Sequence, residues 1–208
     1  LTTKNKLVAK VKAKARRPNF SRDKILVVAT KMFAERGFAA ISIRDIANTC
    51  GISIPSIYHF FGDKESLYQA SYEQIFGAAA MQLRGALIPG VTAKERIKQF
   101  TVALCDVLKN NHDFRRLLQR ELLREERRAI DQLTTHHFRR EFVDLNHDIS
   151  TLSGAETAVD RAFSIYALVF GLIQLGRIGE LAGMNKLLLS SPAHLAEHVL
   201  AIVLPEQF

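Results

Sequence analysis

Cysteine is nearly missing from this sequence: 208 residues contain only Cys50 and Cys105, far apart and each among apolar neighbours. A disulfide framework is not available to such a chain, and a reducing compartment, the cytoplasm, is the expected location. No apolar stretch opens the sequence, and the longest apolar run, 162–176, contains Gln174. That run is shorter than the roughly 20 residues a membrane-spanning helix needs, so neither a signal peptide nor a membrane span is expected. Sustained period-two alternation between hairpin turns is also lacking, which argues against a sheet. There is no Gly-rich phosphate loop, no nucleophile elbow and no spaced set of metal ligands. These absences argue against an enzyme and leave no cofactor to expect. No internal repeat is visible.

Charge is unevenly placed. The net charge of +8 resides in residues 1–24, where Lys4, Lys6, Lys10, Lys12, Lys14, Arg16, Arg17, Arg22 and Lys24 face a single acid, Asp23. Beyond them acids and bases balance. Residues 1–20 therefore read as a basic flexible arm with little to bury and an attraction to polyanions.

What the chain has in abundance is helical periodicity. Ser21 is a suitable cap for a first helix, in which Ile25, Val28, Ala29, Met32 and Phe33 recur at helical spacing up to Gly37. Ser42 and Asp45 form a capping-box pattern opening a second helix that ends at Gly51. Ser53 is placed to cap a third, with Pro55 in its first turn. Longer helices follow: one from about Lys64 to Leu87, and one from Thr92 with Ile97, Phe100, Thr101, Leu104 and Leu108 on a single face. Between His112 and Thr151 the apolar positions, including Ile130 and Leu133, suit a shorter helix and then a long one up to Gly154. The segment 156–181 is apolar nearly all round, and a final helix begins near Pro192. The expected fold class is all-α.

Ala47 where two helices would cross, Gly51 in the turn, and Ile46, Cys50, Ile52, Ile57 and Phe60 as inward positions make a helix-turn-helix pattern. Its surroundings carry the run Glu35, Arg36, Gly37, Ser42, Ile46, Ala47, Gly51, Ser53, Tyr58, Phe61, Lys64, Glu65 and Leu67. In this run residues 21–68 closely resemble the DNA-binding domain of the TetR family of bacterial transcriptional regulators. One departure is Phe60, where many members have His or Tyr. The resemblance implies a helix-turn-helix domain at 21–66 and a helical ligand-binding and dimerisation domain at 67–208. It also implies a homodimer that binds a palindromic double-stranded DNA operator, acts as a repressor, and is released by a small-molecule effector.

With Ile57, Phe60 and Phe61 turned inward, Ile54, Pro55, Ser56, Tyr58 and His59 are left for the outer face of the third helix. A recognition helix enters the major groove N-terminus first, so Ile54, Pro55 and Ser56 are placed to meet base edges. Tyr58 and His59 are placed for phosphate oxygens, as is Ser42 at the N-terminus of the second helix. Arg44 suits bidentate contact with guanine, and Lys64 a clamp on the backbone. The resemblance implies phosphate contacts for Tyr58 and Lys64.

For the effector, the aromatic and polar groups on inward faces are Tyr72, Phe76, Phe100, Phe138, Phe142, Tyr166, Phe170 and Gln174, a set suited to a largely apolar molecule. Segment 162–176, apolar on every side, is expected to be buried both in its own core and against a second copy, with Gly171 and Gly176 allowing close approach. His137, Glu141, Asp144 and Asp148 share a helical face. A solvated face opposite Phe138, Phe142, Leu145 and Ile149 accounts for them without a metal, and no metal is expected.

Overall fold

The computed structural model describes residues 21–123, 137–183 and 186–208. The basic arm, together with Ile130 and Leu133, lies outside the described residues. All the elements found among the described residues are helices: α1 (Arg22–Arg36), α2 (Ile43–Cys50), α3 (Ile54–Phe61), α4 (Lys64–Ala86), α5 (Ala93–Asn110), α6 (His112–Leu122), α7 (Arg139–Ser153), α8 (Ala158–Leu181) and α9 (Pro192–Val203).

Local chemistry sets most of these boundaries. The side chains of Ser21, Ser42, Asp63, Thr92, Asn111 and Ser191 each accept a bond from a backbone N–H in the first turn that follows. Such a bond satisfies one of the donors that a helix start leaves open, and is worth about 1 kcal/mol. Ser42 and Asp45 complete a reciprocal capping box. Ser53 departs from expectation: its hydroxyl caps nothing and lies 2.8 Å from the Ser56 hydroxyl. With Pro55 in the first turn of α3, one of the open N–H groups does not exist, so less capping is required.

The helix-turn-helix forms as its sequence suggests. Gly51 takes the left-handed conformation (φ 66°, ψ 32°), its N–H donates to Asn48 O at 3.1 Å and that of Ile52 to Ala47 O at 3.0 Å, and Ala47 is buried at the crossing. In α1 the inward stripe is Ile25, Leu26, Ala29, Thr30, Phe33 and Ala34, with Val28 and Met32 only half-buried. The stripe is broad because α1 packs on α2, α4 and α6 together. One contiguous apolar core consequently runs from Ile25 in the head to Leu204 beyond α9.

Gly37 sits where the chain leaves α1, at φ 83° and ψ 163°, and a Cβ there would stand 2.8 Å from Arg120 Nη1. Arg120 Nε donates to Ala34 O at 3.2 Å and its Nη2 to Glu35 O at 2.9 Å, so α6 holds the open end of α1. Gly37→Ala is expected to destabilise by about 1–3 kcal/mol from backbone strain alone. The check is a urea titration, with a lowered midpoint and an unchanged slope as the expected result.

One expectation for α8, that Gly176 allows close approach of a second copy, is corrected. Gly176 is buried by its own chain, with Leu189 Cδ1 lying where a Cβ would stand, whereas Gly171 has open space beside it. The whole helix, Ala158–Leu181, is longer than its apolar run and, by length and composition alone, long and apolar enough to cross a membrane. Ala158, Ala162, Ile165 and Val169 are nonetheless packed in the core, while Val159, Phe163, Leu175, Ile178 and Leu181 are exposed. The helix is therefore half buried within the chain and apolar outside it.

Candidate DNA-binding interface and effector sites

An open recess of about 540 Å³ on the head is lined by residues 39–45 with Ile54, Tyr58 and Lys64. Of the sequence-derived DNA contacts it gathers Ser42, Arg44, Ile54, Tyr58 and Lys64. Ser42 and Arg44 are exposed at the start of α2, and Tyr58 is 48% exposed. Lys64 is half-buried and held in place, with Nζ 4.1 Å from the centre of the Phe38 ring. On the other side of the head, the Arg22 guanidinium lies 4.9 Å from the Phe61 ring. Neither aromatic partner was identified by sequence reasoning, because a cation over a ring leaves no spacing signal.

Ser42 is already engaged. Its hydroxyl donates to Asp45 Oδ2 at 2.6 Å and its backbone N–H to the same oxygen at 2.8 Å. These bonds hold the Asp45 carboxyl below its ordinary range. A lowered carboxyl stabilises the fold above its unfolded value, and this cap's contribution fades only as pH falls through the lowered one. Ser42 thus serves first to start α2, with Asp45 occupying part of the anion-attracting end.

The outer face of α3 differs from expectation in three places. Phe60 is 39% exposed and not inward; it meets His59 edge-on at 5.5 Å, so the pair forms an aromatic outer surface. Ile54 is half-buried and packs against the core, leaving Pro55 as the exposed apolar group at the leading end of the helix. Ser56 is half-buried and paired with Ser53. The reason is the rotation of an eight-residue helix: Ile57 and Phe61, four apart, define the inward line, and Phe60 falls off it.

The eight effector candidates fall in three places. Tyr72 stacks on Phe76 at 4.1 Å, and Phe138 meets Phe76 edge-on at 6.3 Å. Tyr166 lies 5.8 Å from Phe100 and 5.9 Å from Phe142. The hydroxyls of Tyr72 and Tyr166 are buried without a hydrogen-bond partner, and burial pushes both phenols upward. Phe170 and Gln174 stand apart, in an open cleft of about 840 Å³ shared with Ala34, Glu35, Arg116, Gln119, Arg120, Leu122 and Leu123. Gln174 accepts a bond from Gln119 Nε2 at 2.6 Å while its own Nε2 is buried without a partner.

The acidic stripe on α7 is not a solvated face. Glu141 is fully buried and accepts from Arg84 Nε at 2.9 Å; Asp148 is buried and takes a two-pronged bond from Arg96. His137 Nε2 lies 3.1 Å from Glu73, and only Asp144 stays near solvent, 3.9 Å from Arg140. The stripe ties α7 to α4 and α5. Among the described residues no cluster of three or more His, Cys, Asp or Glu side chains could hold a metal ion. Both cysteines are buried free thiols raised by burial, Cys105 to about 12, which leaves them neutral and poor nucleophiles.

Residues 25–71 match the sequence profile described as bacterial regulatory proteins, tetR family. The uncharacterized HTH-type transcriptional regulator YerO of Bacillus subtilis is 30% identical over 116 residues, covering 55% of this chain and 40% of the relative. The HTH-type transcriptional repressor KstR2 of Mycobacterium tuberculosis is 30% identical over 94 residues, 45% of this chain and 47% of the relative. The chain thus matches less than half the length of these curated relatives. In fold the likeness is wider. The solved structure of KstR2, titled a ketosteroid transcriptional regulator, aligns over 91% of this chain and 96% of its own at a TM-score of 0.65 and 21% identity. That of the transcriptional regulator FadR from Bacillus subtilis in complex with stearoyl-CoA aligns over 88% and 97% at 0.67 and 17%. The head, residues 25–71, thus carries the sequence pattern of the TetR family of bacterial regulatory proteins, and nearly the whole chain shares its fold with solved regulators of that type.

Proposed function

We propose that this chain is a ligand-responsive transcriptional repressor that binds a two-fold symmetric DNA operator as a homodimer. The observation that carries the reading is the recess on the head, where Ser42, Arg44, Tyr58 and Lys64 converge beside the leading end of α3. Pro55 meets base edges, Arg44 bonds a guanine, and Tyr58, His59 and Lys64 hold phosphates. Ile54 and Ser56 act by shaping the start of α3. The functional division falls near residue 66, with the head before it and the ligand-binding and dimerisation part after it.

Dimerisation uses the exposed apolar side of α8, where Phe163, Ile178 and Leu181 stand out, with Ile202 of α9. Pairing there sets two heads at the roughly 34–36 Å that successive major grooves require. The effector is a small, largely apolar molecule. Unpartnered hydroxyls among the aromatic groups support that reading, as do the relatives whose titles name a ketosteroid regulator and a stearoyl-CoA complex. An activator with the same head is the second reading, since a curated relative, FasR of Mycolicibacterium smegmatis, is named an activator and is 27% identical over 97 residues. A cytoplasmic location accords with either.

The test is a selection of genomic DNA fragments by the purified chain in excess non-specific competitor, followed by footprinting. A protected two-fold symmetric site is the expected result; no enrichment of any sequence would remove the operator reading. Residues 1–20 are proposed to add the field that the charge-balanced head lacks. Deleting them is expected to weaken binding and flatten its salt dependence, and an unchanged slope in a salt titration would sink that role.

A further inference from the structure

We propose that the cleft between head and body binds the anionic end of an amphiphilic effector, and that Arg120 transmits its occupancy to the DNA-binding head. This deepens the regulator reading and rests on it for its biological sense.

The cleft brings together groups of two kinds. Arg116 and Arg120, one turn apart on α6, offer guanidinium donors, and Gln119 lies between them in sequence. Gln174 of α8 adds an amide whose Nε2 is buried with both protons unassigned to any acceptor. A buried donor left in this state is destabilising, and a ligand oxygen would satisfy it. Phe170, Leu122 and Leu123 supply an apolar wall, with Leu123 85% exposed. Among the described residues Glu35 is the one acid in the lining, against the two arginines. Donors, cations and an apolar wall together fit a carboxylate or phosphate joined to a hydrocarbon. At about 840 Å³ the cleft is within the usual size of small-molecule sites.

Arg120 has a second engagement, and this gives the site its regulatory meaning. Its guanidinium holds the carbonyls of Ala34 and Glu35, the last turn of α1, and Ala34 and Glu35 are themselves part of the lining. An anion in the cleft competes with those carbonyls for the same N–H groups. A carboxylate or phosphate is the stronger acceptor, because its bonds are charge-assisted. Occupancy therefore loosens the end of α1, the helix on which α2 and α4 both pack.

The probes are decanoate and decyl phosphate below their aggregation limits, with decanol and decyltrimethylammonium as uncharged and cationic controls. Calorimetry on the full chain is expected to show saturable binding of both anions, with decanol weaker by about tenfold or more and the cation not bound. Arg116→Gln and Gln174→Leu should each weaken anion binding by about tenfold. Arg116 is exposed, so its variant keeps the fold. In hydrogen exchange, decyl phosphate should speed the amides of residues 33–38 by about tenfold, whereas Arg120→Met should show that fast exchange without ligand and no further response. Equal binding of decanol and the anions, indifference of anion binding to Arg116→Gln, or unchanged exchange at 33–38 each overturns the proposal. None of these readouts uses DNA. A chain that selects a symmetric operator but fails them loses only this inference, and one that passes them but selects no operator loses the regulator reading instead.

Discussion

Arg96→Met is expected to destabilise the protein by about 3–5 kcal/mol, the usual consequence of stranding a buried charge. Asp148 is the charge that would be stranded: its side chain is 4% exposed against 25% for Arg96. Arg96 donates to Asp148 Oδ2 from Nε at 2.8 Å, to Oδ1 from Nη2, and to Val91 O from Nη1 at 2.6 Å. One guanidinium thereby fixes α7 against α5 and secures the loop before α5. The double replacement Arg96→Met with Asp148→Leu should recover most of the loss, since a well-packed apolar pair often does as well as a buried ion pair. Urea unfolding followed by circular dichroism measures both. If the double variant were no more stable than the single one, the loss would come from packing of the arginine stem and not from the isolated carboxylate.

On the proposed reading, in which Tyr58 and Lys64 hold phosphates in both halves of a dimer, Tyr58→Ala combined with Lys64→Ala is expected to weaken operator binding by about a hundredfold. The slope of log affinity against log salt should also fall by about two, one unit for each Lys64 lost. Stability should scarcely change, because Tyr58 is half exposed and Lys64 lies at the edge of the head. Phe38→Leu offers a finer test: it leaves the charge on Lys64 but removes the ring at 4.1 Å that holds it. Its expected effect is a smaller loss of affinity with the salt slope retained. Footprinting at several salt concentrations reads all three variants, and full protection by the double variant would mean that phosphates are held elsewhere on the head.

The head was legible in the sequence because its signals are local. Ser21, the Ser42–Asp45 box, Gly51 and Pro55 act within a few residues of themselves, and each lies where a helix begins or ends in the structure. Phe60 was misread because two adjacent phenylalanines in an eight-residue helix give periodicity too little length to choose between them. The acids of α7 were misread for a different reason. Their partners lie at great distances along the chain: 57 residues separate Arg84 from Glu141, and 52 separate Arg96 from Asp148. Charge on a helix face signals solvent only when no opposite charge folds over it. Arg120 is the same case, acting on backbone carbonyls 86 and 85 residues away. Sequence pattern also could not separate the two aromatic groups in the interior from Phe170 and Gln174, which line the cleft.

The continuous core has a mechanical meaning. Where two domains are joined by a slack linker, movement of one is lost before it reaches the other. Here α4 is a rigid rod of 23 residues, about 34 Å long, whose N-terminal end carries Lys64 and whose far end carries Arg84, bound to Glu141. A tilt of about 5° at the far end would swing the near end by about 3 Å, the span of a hydrogen bond. The phosphate contact proposed for Lys64 would then be broken without any residue in the head changing its own conformation.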